Sequence, residues 1–296
     1  MNHNPFHCNF SATKPVRSLC AALLFATFAA AATAQEVAFK LQLPKVGDER
    51  GSKWNMHAKT ELSVSINGAP VAAPTVEKSE IKVRQETVLS VKDDAVTKMK
   101  VAFGEMKTSE VQAEGVEKNS ESPLSGRTFI LEAGADGLSA TDESGKAVDE
   151  ETLKELKDNY KRFGKPDRFF KLFDGKTVRV GDKIDVAREI VVETMTDGKS
   201  QLEAFTFTLK ELRQEQGVEC AVVDVALKLK GQPQPAMTFA AELKGELIVE
   251  VKTCWPLSMR LEGPMTITGA QEQDGQQIDF DGKGTMRIRV TAKYGK

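Results

Sequence analysis

The chain has 296 residues, 40 % of them hydrophobic and 28 % charged, and its net charge is −2 at neutral pH. That composition is ordinary for a folded globular protein and excludes a largely disordered chain. The weakly acidic balance gives no electrostatic footprint for nucleic acid or for anionic lipid. We therefore expect no nucleic-acid partner.

Residues 1–34 have the order of regions found in a secretory signal peptide. Lys14 and Arg17 supply positive charge without an acidic neighbour, an alanine-rich apolar run covers 19–32, and an A-T-A sequence ends at Ala34. Signal peptidase cleaves after this pattern, and the run is shorter than the ~20 residues that span a bilayer. The sequence predicts a bacterial-type exported protein, periplasmic or secreted, that is cleaved after Ala34.

No second long apolar run follows, which predicts no transmembrane segment in the mature chain. Cleavage would remove Lys14 and Arg17 and leave a net charge of −4. It would also leave only two of the four cysteines, Cys220 and Cys254. An even pair in an oxidising compartment is consistent with a disulfide, and two buried free thiols are the alternative.

Alternation of apolar and polar residues with period two is the dominant pattern after the signal. It occurs at 54–66, 99–103, 205–209, 223–229, 237–251 and 286–290. Such alternation is typical of antiparallel strands with one face in a core and the other in water. The sequence predicts an all-β or β-rich α+β fold with ten or more strands. We expect a broad curved antiparallel sheet, a half-barrel or barrel-like, with one central helix.

Turn-forming sequences separate these strands. They are Asn67-Gly68, Asp136-Gly137, Asp197-Gly198, Gly231-Gln232-Pro233, Asp274-Gly275 and Asp281-Gly282. One stretch differs, because its apolar residues have helical spacing: Leu153, Leu156, Tyr160 and Phe163. Asp149 can cap the first turn of this helix and Gly164 can end it. The apolar cluster at 169–173 predicts a second short helix.

The segments before and after this helix contain the same succession of sequence features. Lys45-Val46-Gly47-Asp48 precedes one long alternating segment, and Arg179-Val180-Gly181-Asp182 precedes another that starts at Ile184. Each is followed by a turn sequence after a similar interval. We interpret the chain as an internal duplication, with the signal at 1–34, β-rich halves at 35–148 and 175–296, and a helical connector at 149–174. The two halves form either one continuous domain or two lobes.

Residues that carry specific chemistry are scarce. Only His57 remains after cleavage, and the alternation places it on a polar strand face, so we predict no catalytic residue and no enzyme. No motif of zinc spacing occurs, and Asp279-Phe280-Asp281-Gly282 lacks the later ligands of a calcium loop and indicates a turn. We therefore predict no metal site and no cofactor. A secreted hydrolase that uses two carboxylates is an alternative without a specific motif.

The predicted sheet is wide compared with its predicted helical cover, and an apolar face must be covered. Either the sheet closes on itself, or part of its apolar face stays open for a ligand. The function favoured is binding of a lipid or apolar small molecule. The residues expected to form a lid or cover are Leu153, Leu156, Tyr160, Phe163, Phe169 and Phe170. The alternative is a structural or protein-interaction module without a pocket, with an unknown protein partner.

The signal, the central helical connector, and the paired motifs Val46-Gly47-Asp48 and Val180-Gly181-Asp182 resemble an uncharacterised family of exported bacterial proteins. The inferred shape is similar to the half-barrel of periplasmic lipoprotein carriers and related mycobacterial envelope lipoproteins. Those proteins hold acyl chains between a curved sheet and covering helices. The resemblance implies a lipid role for this chain and assigns no catalytic or binding residue.

Overall fold

The computed structural model describes residues 35–111, 115–195, 200–215, 217–234 and 236–295. The predicted signal at 1–34 and the predicted turn at Asp197-Gly198 lie outside these residues. No helix in the described part of the chain is both long and apolar enough to cross a membrane.

The first half of the chain contains eight strands. They are β1 (Glu36–Ala38), β2 (Glu49–Ile66), β3 (Ala69–Ala72), β4 (Thr75–Lys92), β5 (Ala95–Val111), β6 (Glu117–Glu121), β7 (Thr128–Gly134) and β8 (Gly137–Asp142). A helical region follows, with α1 (Glu150–Asn159), a 3₁₀ helix (Phe170–Leu172), β9 (Thr177–Arg179) and α2 (Arg188–Met195). The second half adds β10 (Ser200–Glu215), β11 (Val218–Gln234), β12 (Met237–Glu250), β13 (Pro256–Gln273) and β14 (Gln276–Gly295).

Twelve of these strands form one antiparallel sheet, in the order β10-β11-β12-β13-β14-β2-β4-β5-β7-β8, with β3 paired to β2 and β6 paired to β5. The sheet is open, because its end strands β10 and β8 do not pair with each other. β14 pairs with β2 along its length, so both halves of the chain contribute to the same sheet. These features confirm the predicted wide antiparallel sheet with one central helix.

Two apolar clusters cover different regions of the sheet. One lies under α1, where Leu156 packs with Leu124 from the turn before β7 and with residues of β5 and β7 such as Phe129. The larger one lies along β10 to β13 and includes Phe173 and Val191 from the helical region. The small pair β1 and β9 also covers this second cluster, through Val37 and Val178. The cover is therefore larger than the predicted helix and Phe169–Phe173 cluster alone, because the segment from Thr177 to Met195 adds to it.

The central helix α1 begins as predicted, with Asp149 as its N-cap. The carboxylate of Asp149 accepts hydrogen bonds from the backbone N–H of Thr152 at 2.8 Å and from its hydroxyl at 2.9 Å. The helix ends at Asn159, earlier than the predicted Phe163, because Tyr160 leaves helical geometry with φ −123° and ψ 41°. This early end turns the side chains after Asn159 away from the helix axis and toward the sheet.

Ile184 does not begin a long strand, contrary to the sequence prediction. Its N–H donates to the carbonyl oxygen of Phe207 at 2.8 Å, and only Lys183 makes a bridge beside it. The chain then forms α2, in which Val191 is fully buried. The β-branched residues of this segment favour a strand, but packing of one helical face onto the sheet determines its structure.

Two of the predicted turns lie inside strands instead. Gly231-Gln232-Pro233 belongs to β11, and Asp281-Gly282 belongs to β14. A Cβ at Gly282 would come 2.6 Å from a methyl of Leu62, so this glycine serves close strand packing and not a turn. Asn67-Gly68 and Asp274-Gly275 do form turns, with positive φ at all four residues.

The two V-G-D motifs form the same local structure. Gly47 and Asp48 exchange backbone hydrogen bonds with Val88 on β4, each 2.9 Å long. Gly181 and Asp182 exchange the same pair with Leu209 on β10, at 2.7 and 3.0 Å. Both glycines have a positive φ, 90° and 95°, which favours glycine. Each turn thus attaches the start of its half to a buried strand position, while duplication of the complete halves stays a prediction.

Three glycines mark close approaches of neighbouring strands. A Cβ at Gly245 would lie 1.8 Å from the carbonyl oxygen of Arg260, and Cβ atoms at Gly263 and Gly284 would lie 1.9 Å from the carbonyls of Glu242 and Lys59. No residue with a side chain fits such positions. Glycines of this kind allow strands to bend sharply, which the curvature of a wide sheet requires.

Cys220 and Cys254 are buried free thiols. Cys220 packs with Val222 and Ile248 in a small cluster, whereas its neighbours Ala221 and Val223 belong to the large cluster that also holds Cys254. Because side chains alternate along β11, the Cys220 thiol lies on the opposite face of the sheet from that cluster. Of the two alternatives left open by the sequence, the structure contains the free thiols.

Candidate functional site

A cleft of about 690 Å³ opens where the end of α1 and the loop after it face the sheet. β2, β4 and β5 form its floor, and α2 contributes Val192 and Glu193 to one side. Trp255 and Tyr294 form part of another wall. The cleft therefore touches both the first and the second half of the chain and is bordered by both helices.

Polar residues lie in a row across the floor of this cleft. Arg50 on β2 is directly opposite Tyr294 on β14 and directly opposite Glu86 on β4. Arg84 lies two residues before Glu86 and therefore on the same face of β4. The register of three neighbouring strands thus brings two guanidinium groups, one carboxylate and one phenol together.

Glu86 is the centre of this group. Its Oε1 accepts a hydrogen bond from the Tyr160 hydroxyl at 2.9 Å and lies 3.2 Å from the Nε of Arg84. Its Oε2 lies 3.8 Å from the Nε of Arg50. The Glu86 side chain is only 10 % exposed, so one carboxylate is held by two arginines and a tyrosine in a largely enclosed position.

The charges of these groups affect one another. Burial favours a raised pKa for Glu86, but the charges of Arg84 and Arg50 and the Tyr160 hydrogen bond outweigh it, so the pKa lies below its ordinary value. Burial, followed by the charge of Glu86, raises the pKa of Tyr160 above its ordinary value. Near neutral pH Glu86 is therefore ionised and Tyr160 is a neutral donor.

Arg50 differs from Arg84 in its hydrogen bonds. The Nε of Arg84 donates to the hydroxyl of Ser52 at 3.2 Å. The Nε of Arg50 is enclosed and has no hydrogen-bond partner among the described residues. Its distance to Glu86 is an ion-pair distance and too long for a hydrogen bond. Arg50 is therefore a cation whose hydrogen-bonding capacity is incompletely used.

Aromatic and aliphatic side chains form another part of the cleft, beside further charged residues such as Glu49, Asp94 and Lys165. The rings of Trp255 and Tyr294 pack with centroids 4.4 Å apart. Their polar atoms are satisfied elsewhere, because the Trp255 indole N–H donates to the carbonyl of Gln42 at 3.3 Å and the Tyr294 hydroxyl donates to that of Pro256 at 3.1 Å. They therefore present apolar ring surface to the cleft. The other apolar lining residues are Val88, Val96, Met99, Phe163 and Val192.

Ion pairs hold the loop after α1 against α2. Glu193 on α2 pairs with Arg162, and its other oxygen lies 2.9 Å from Arg168. These side chains are partly exposed, so each pair adds little to overall stability. Two arginines on one carboxylate nevertheless fix the side wall of the cleft.

The structure separates the six predicted cover residues. Tyr160 and Phe163 line the cleft. Leu156 is fully buried in the cluster under α1, and Leu153 packs against that cluster. Phe169 packs against the large cluster instead. Phe170 begins the 3₁₀ helix, and its side chain lies outside the described part of the structure.

Sequence reasoning missed Arg50, Arg84, Glu86, Trp255 and Tyr294. One signal was available in β4, where Arg84 and Glu86 precede the buried Val88 at steps of two and must share its face. Charged residues at inward-facing strand positions are unusual and indicate a polar site. The partners of Glu86 on β2 and in the loop after α1 depend on strand register and could not be found this way.

A second depression, of about 590 Å³, lies on the polar face of β10 to β13. Its carboxylates form ion pairs with basic side chains of the same face: Glu262 with Arg260 and Arg287, and Glu246 and Asp224 with Lys210. His57 lies on the polar face of β2, exposed and 3.9 Å from Glu77. Among the described residues no group of three or more His, Cys, Asp and Glu side chains is arranged to hold a metal ion.

Comparison with known proteins identifies no family, since neither a protein family nor a curated protein matches the chain. A similar solved structure is DynF from the dynemicin biosynthesis pathway of Micromonospora chersina, with 11 % identity and a TM-score of 0.17 over 88 % of this chain and 86 % of that one. An outer membrane channel from Pseudomonas putida F1 has 11 % identity and a TM-score of 0.17 over 84 % and 97 %. MucB in complex with MucA has 10 % identity and a TM-score of 0.09 over 79 % and 88 %. Likenesses this weak support no conclusion about fold or function.

Proposed function

We propose that this chain is an exported, non-enzymatic protein that binds an apolar or lipid-like small molecule in the cell envelope. One observation carries the proposal: a cleft of about 690 Å³ between the open sheet and its helical cover, in which aromatic and aliphatic side chains such as Met99, Phe163 and Trp255 lie beside many charged ones. Its volume lies within the range of about 300–1,000 Å³ that is usual for small-molecule sites.

The open sheet favours binding of a small molecule in preference to a purely structural role. A closed and fully packed sheet would leave no space under its cover, whereas here Val96 and Met99 reach the cleft as well as the cluster under α1. Phe163 and Val192 face the same space from the covering segments. A ligand placed there would bury apolar surface that otherwise contacts water, which favours binding.

Displacement of a fluorescent fatty-acid probe tests the proposal. We expect saturable binding by the mature chain and weaker binding in Val96→Trp, because the indole would occupy part of the cleft. Val71→Trp is the matched control, since Val71 is 58 % exposed on β3 and does not line the cleft. Urea unfolding of both variants confirms that they are folded. Absence of probe binding in the parent chain would favour the structural or protein-interaction module instead.

The proposed export has a separate test. Expression of the full chain in a bacterium should give a mature protein in the periplasm or medium whose first residue is Gln35. A protein that retains Met1 and stays in the cytoplasm would contradict export and leave the proposal of ligand binding unaffected.

A further inference from the structure

We propose that the ligand is an amphiphile with one acidic head group, a carboxylate or a phosphate monoester, whose oxygens bind Arg50 at the floor of the cleft. The inference rests on the proposed function and specifies the chemical class of its ligand. It depends on the arrangement of charges around Glu86 and on the observation that, among the described residues, Glu86 is the one carboxylate that forms an ion pair with Arg50.

The charges at the floor are unequal. Arg50 and Arg84 both face Glu86, and the nearest phenol donates to Glu86 as a neutral group. One positive charge therefore remains uncompensated in this group. A partly enclosed cation without a full counter-charge favours an anion beside it, so an anion that enters the cleft gains from this charge.

Of the two arginines at the floor, Arg50 is the one available to a ligand. Arg84 already donates to Ser52 and contacts Glu86 at 3.2 Å, whereas Arg50 makes no side-chain hydrogen bond to any described residue. The Arg50 side chain is 30 % exposed, and the cleft is the space that it borders. A guanidinium group with free donors matches the two oxygens of a carboxylate or phosphate.

Among the described residues no carboxylate of the cleft other than Glu86 forms an ion pair with Arg50, and three of them, Asp167, Asp48 and Glu193, have other partners. The charge of Asp167 acts on Arg50, yet the two form no ion pair and the Asp167 carboxylate accepts the backbone N–H of Phe169 at 2.8 Å. Asp48 accepts the backbone N–H of Lys45 at 2.8 Å, and Glu193 is held by two arginines. Each of these groups already has a partner.

The apolar part of the cleft suits an apolar tail. Val96, Met99 and Phe163 supply hydrocarbon surface in the same space that Arg50 borders. An acidic head group alone would leave this surface in contact with water, and a purely apolar molecule would leave Arg50 without an acceptor. A molecule with both parts satisfies both requirements.

The test compares four dodecyl compounds as competitors of the fluorescent probe: dodecanoic acid, dodecyl phosphate, dodecanol and dodecyltrimethylammonium. We expect at least one of the two acids to bind about tenfold more tightly than the alcohol or the ammonium compound, which is the size of one charged hydrogen bond. A preference for one acid identifies the head group as carboxylate or phosphate. This comparison needs no mutation and cannot be confused with loss of folding.

Variants then assign the preference to Arg50. In Arg50→Gln the advantage of the acid over the alcohol should disappear while dodecanol binding changes little, and Arg50→Lys should retain part of it. Arg287→Gln is the control, because Arg287 pairs with Glu262 on the polar face of the sheet. Equal binding of acids and alcohol by the parent chain would overturn the head-group proposal, as would an unchanged preference in Arg50→Gln. If none of the four compounds competes and the probe itself does not bind, the proposed function fails.

Discussion

Arg50 and Glu86 lie directly opposite each other on neighbouring antiparallel strands, with the arginine Nε 3.8 Å from the glutamate Oε2. They are 36 positions apart in the sequence, and the pairing of β2 with β4 brings them together on the apolar side of the sheet. On one side of this pair, Arg84 and Tyr160 both contact the Glu86 carboxylate at hydrogen-bond distance. On the other side, the Nε of Arg50 has no hydrogen-bond partner among the described residues.

Replacement of Glu86 by glutamine should destabilise the protein by about 2 kcal/mol at neutral pH, since two arginines would lose their shared counter-charge. The loss is smaller than for a fully enclosed pair because Arg50 and Arg84 remain 30 % and 29 % exposed. The measurement is urea unfolding. Glu132→Gln, at the exposed pair with Lys98, should leave the midpoint unchanged.

The same variant should lose part of the pH dependence of stability. The pKa of Glu86 is lowered in the folded chain, so its contribution is complete above the unfolded carboxyl pKa of about 4.3 and disappears as the pH falls through the lower folded pKa. The difference in the free energy of unfolding between the parent chain and Glu86→Gln should therefore disappear on acidification. A difference in the free energy of unfolding that stays constant down to about pH 2 would contradict the pairing of Glu86 with the arginines.

Gly245→Ala should destabilise the sheet by about 3 kcal/mol, because the added methyl would overlap the carbonyl oxygen of Arg260 and force two strands apart. Gly51→Ala is the matched control on β2, where no atom lies within 4 Å of the new Cβ. The control should be neutral or slightly stabilising, as alanine restricts the unfolded chain. Equal urea midpoints for the two variants would contradict the close approach at Gly245.

Cys220 and Cys254 should both react with a thiol reagent in denaturant without any reductant. In the folded chain they should react slowly, since both are buried, and burial together with the charge of Asp174 raises the pKa of Cys254 to about 12. A count of no reactive thiols in unreduced denaturant would indicate that the two are bonded.

Leu156→Ala and Phe163→Ala should distinguish a side chain that stabilises the core from one that contacts the ligand. Leu156 is fully buried, and its truncation should cost about 3 kcal/mol while the folded protein binds the fatty-acid probe normally. Phe163 is half-buried and lines the cleft, so its truncation should cost about 1 kcal/mol and weaken probe binding. Reduced probe affinity in Leu156→Ala but not in Phe163→Ala would contradict this assignment.

The sheet was predictable because one physical pattern repeats along the chain. Period-two alternation at Met237 to Val251 follows directly from a strand with one buried face, and Asp149 caps α1 for reasons local to its sequence. Errors occurred where a local signal has two meanings. Gly282 suggests a turn in sequence, yet it gives space to Leu62 on a neighbouring strand.

The floor of the cleft was not predictable, because its members are joined only by register. Tyr294, Arg50 and Glu86 come from three strands whose pairing depends on the complete sheet. Tyr160 was selected for its helical spacing, but it reaches Glu86 because α1 ends at Asn159 and leaves Tyr160 outside the helix. Long-range pairing of this kind has no short-range sequence signal.

Ligand binding in the cleft is tested most directly by the fluorescence of Trp255, which packs on Tyr294 in the cleft wall. In Trp54→Phe it is the only tryptophan of the chain. Titration with dodecanoic acid should change its emission saturably at one site per chain, whereas Trp255→Phe, which retains Trp54 outside the cleft, should show no change. An unchanged Trp255 emission at excess dodecanoic acid and also at excess dodecyl phosphate, in a variant that urea unfolding shows to be folded, would contradict binding in the cleft.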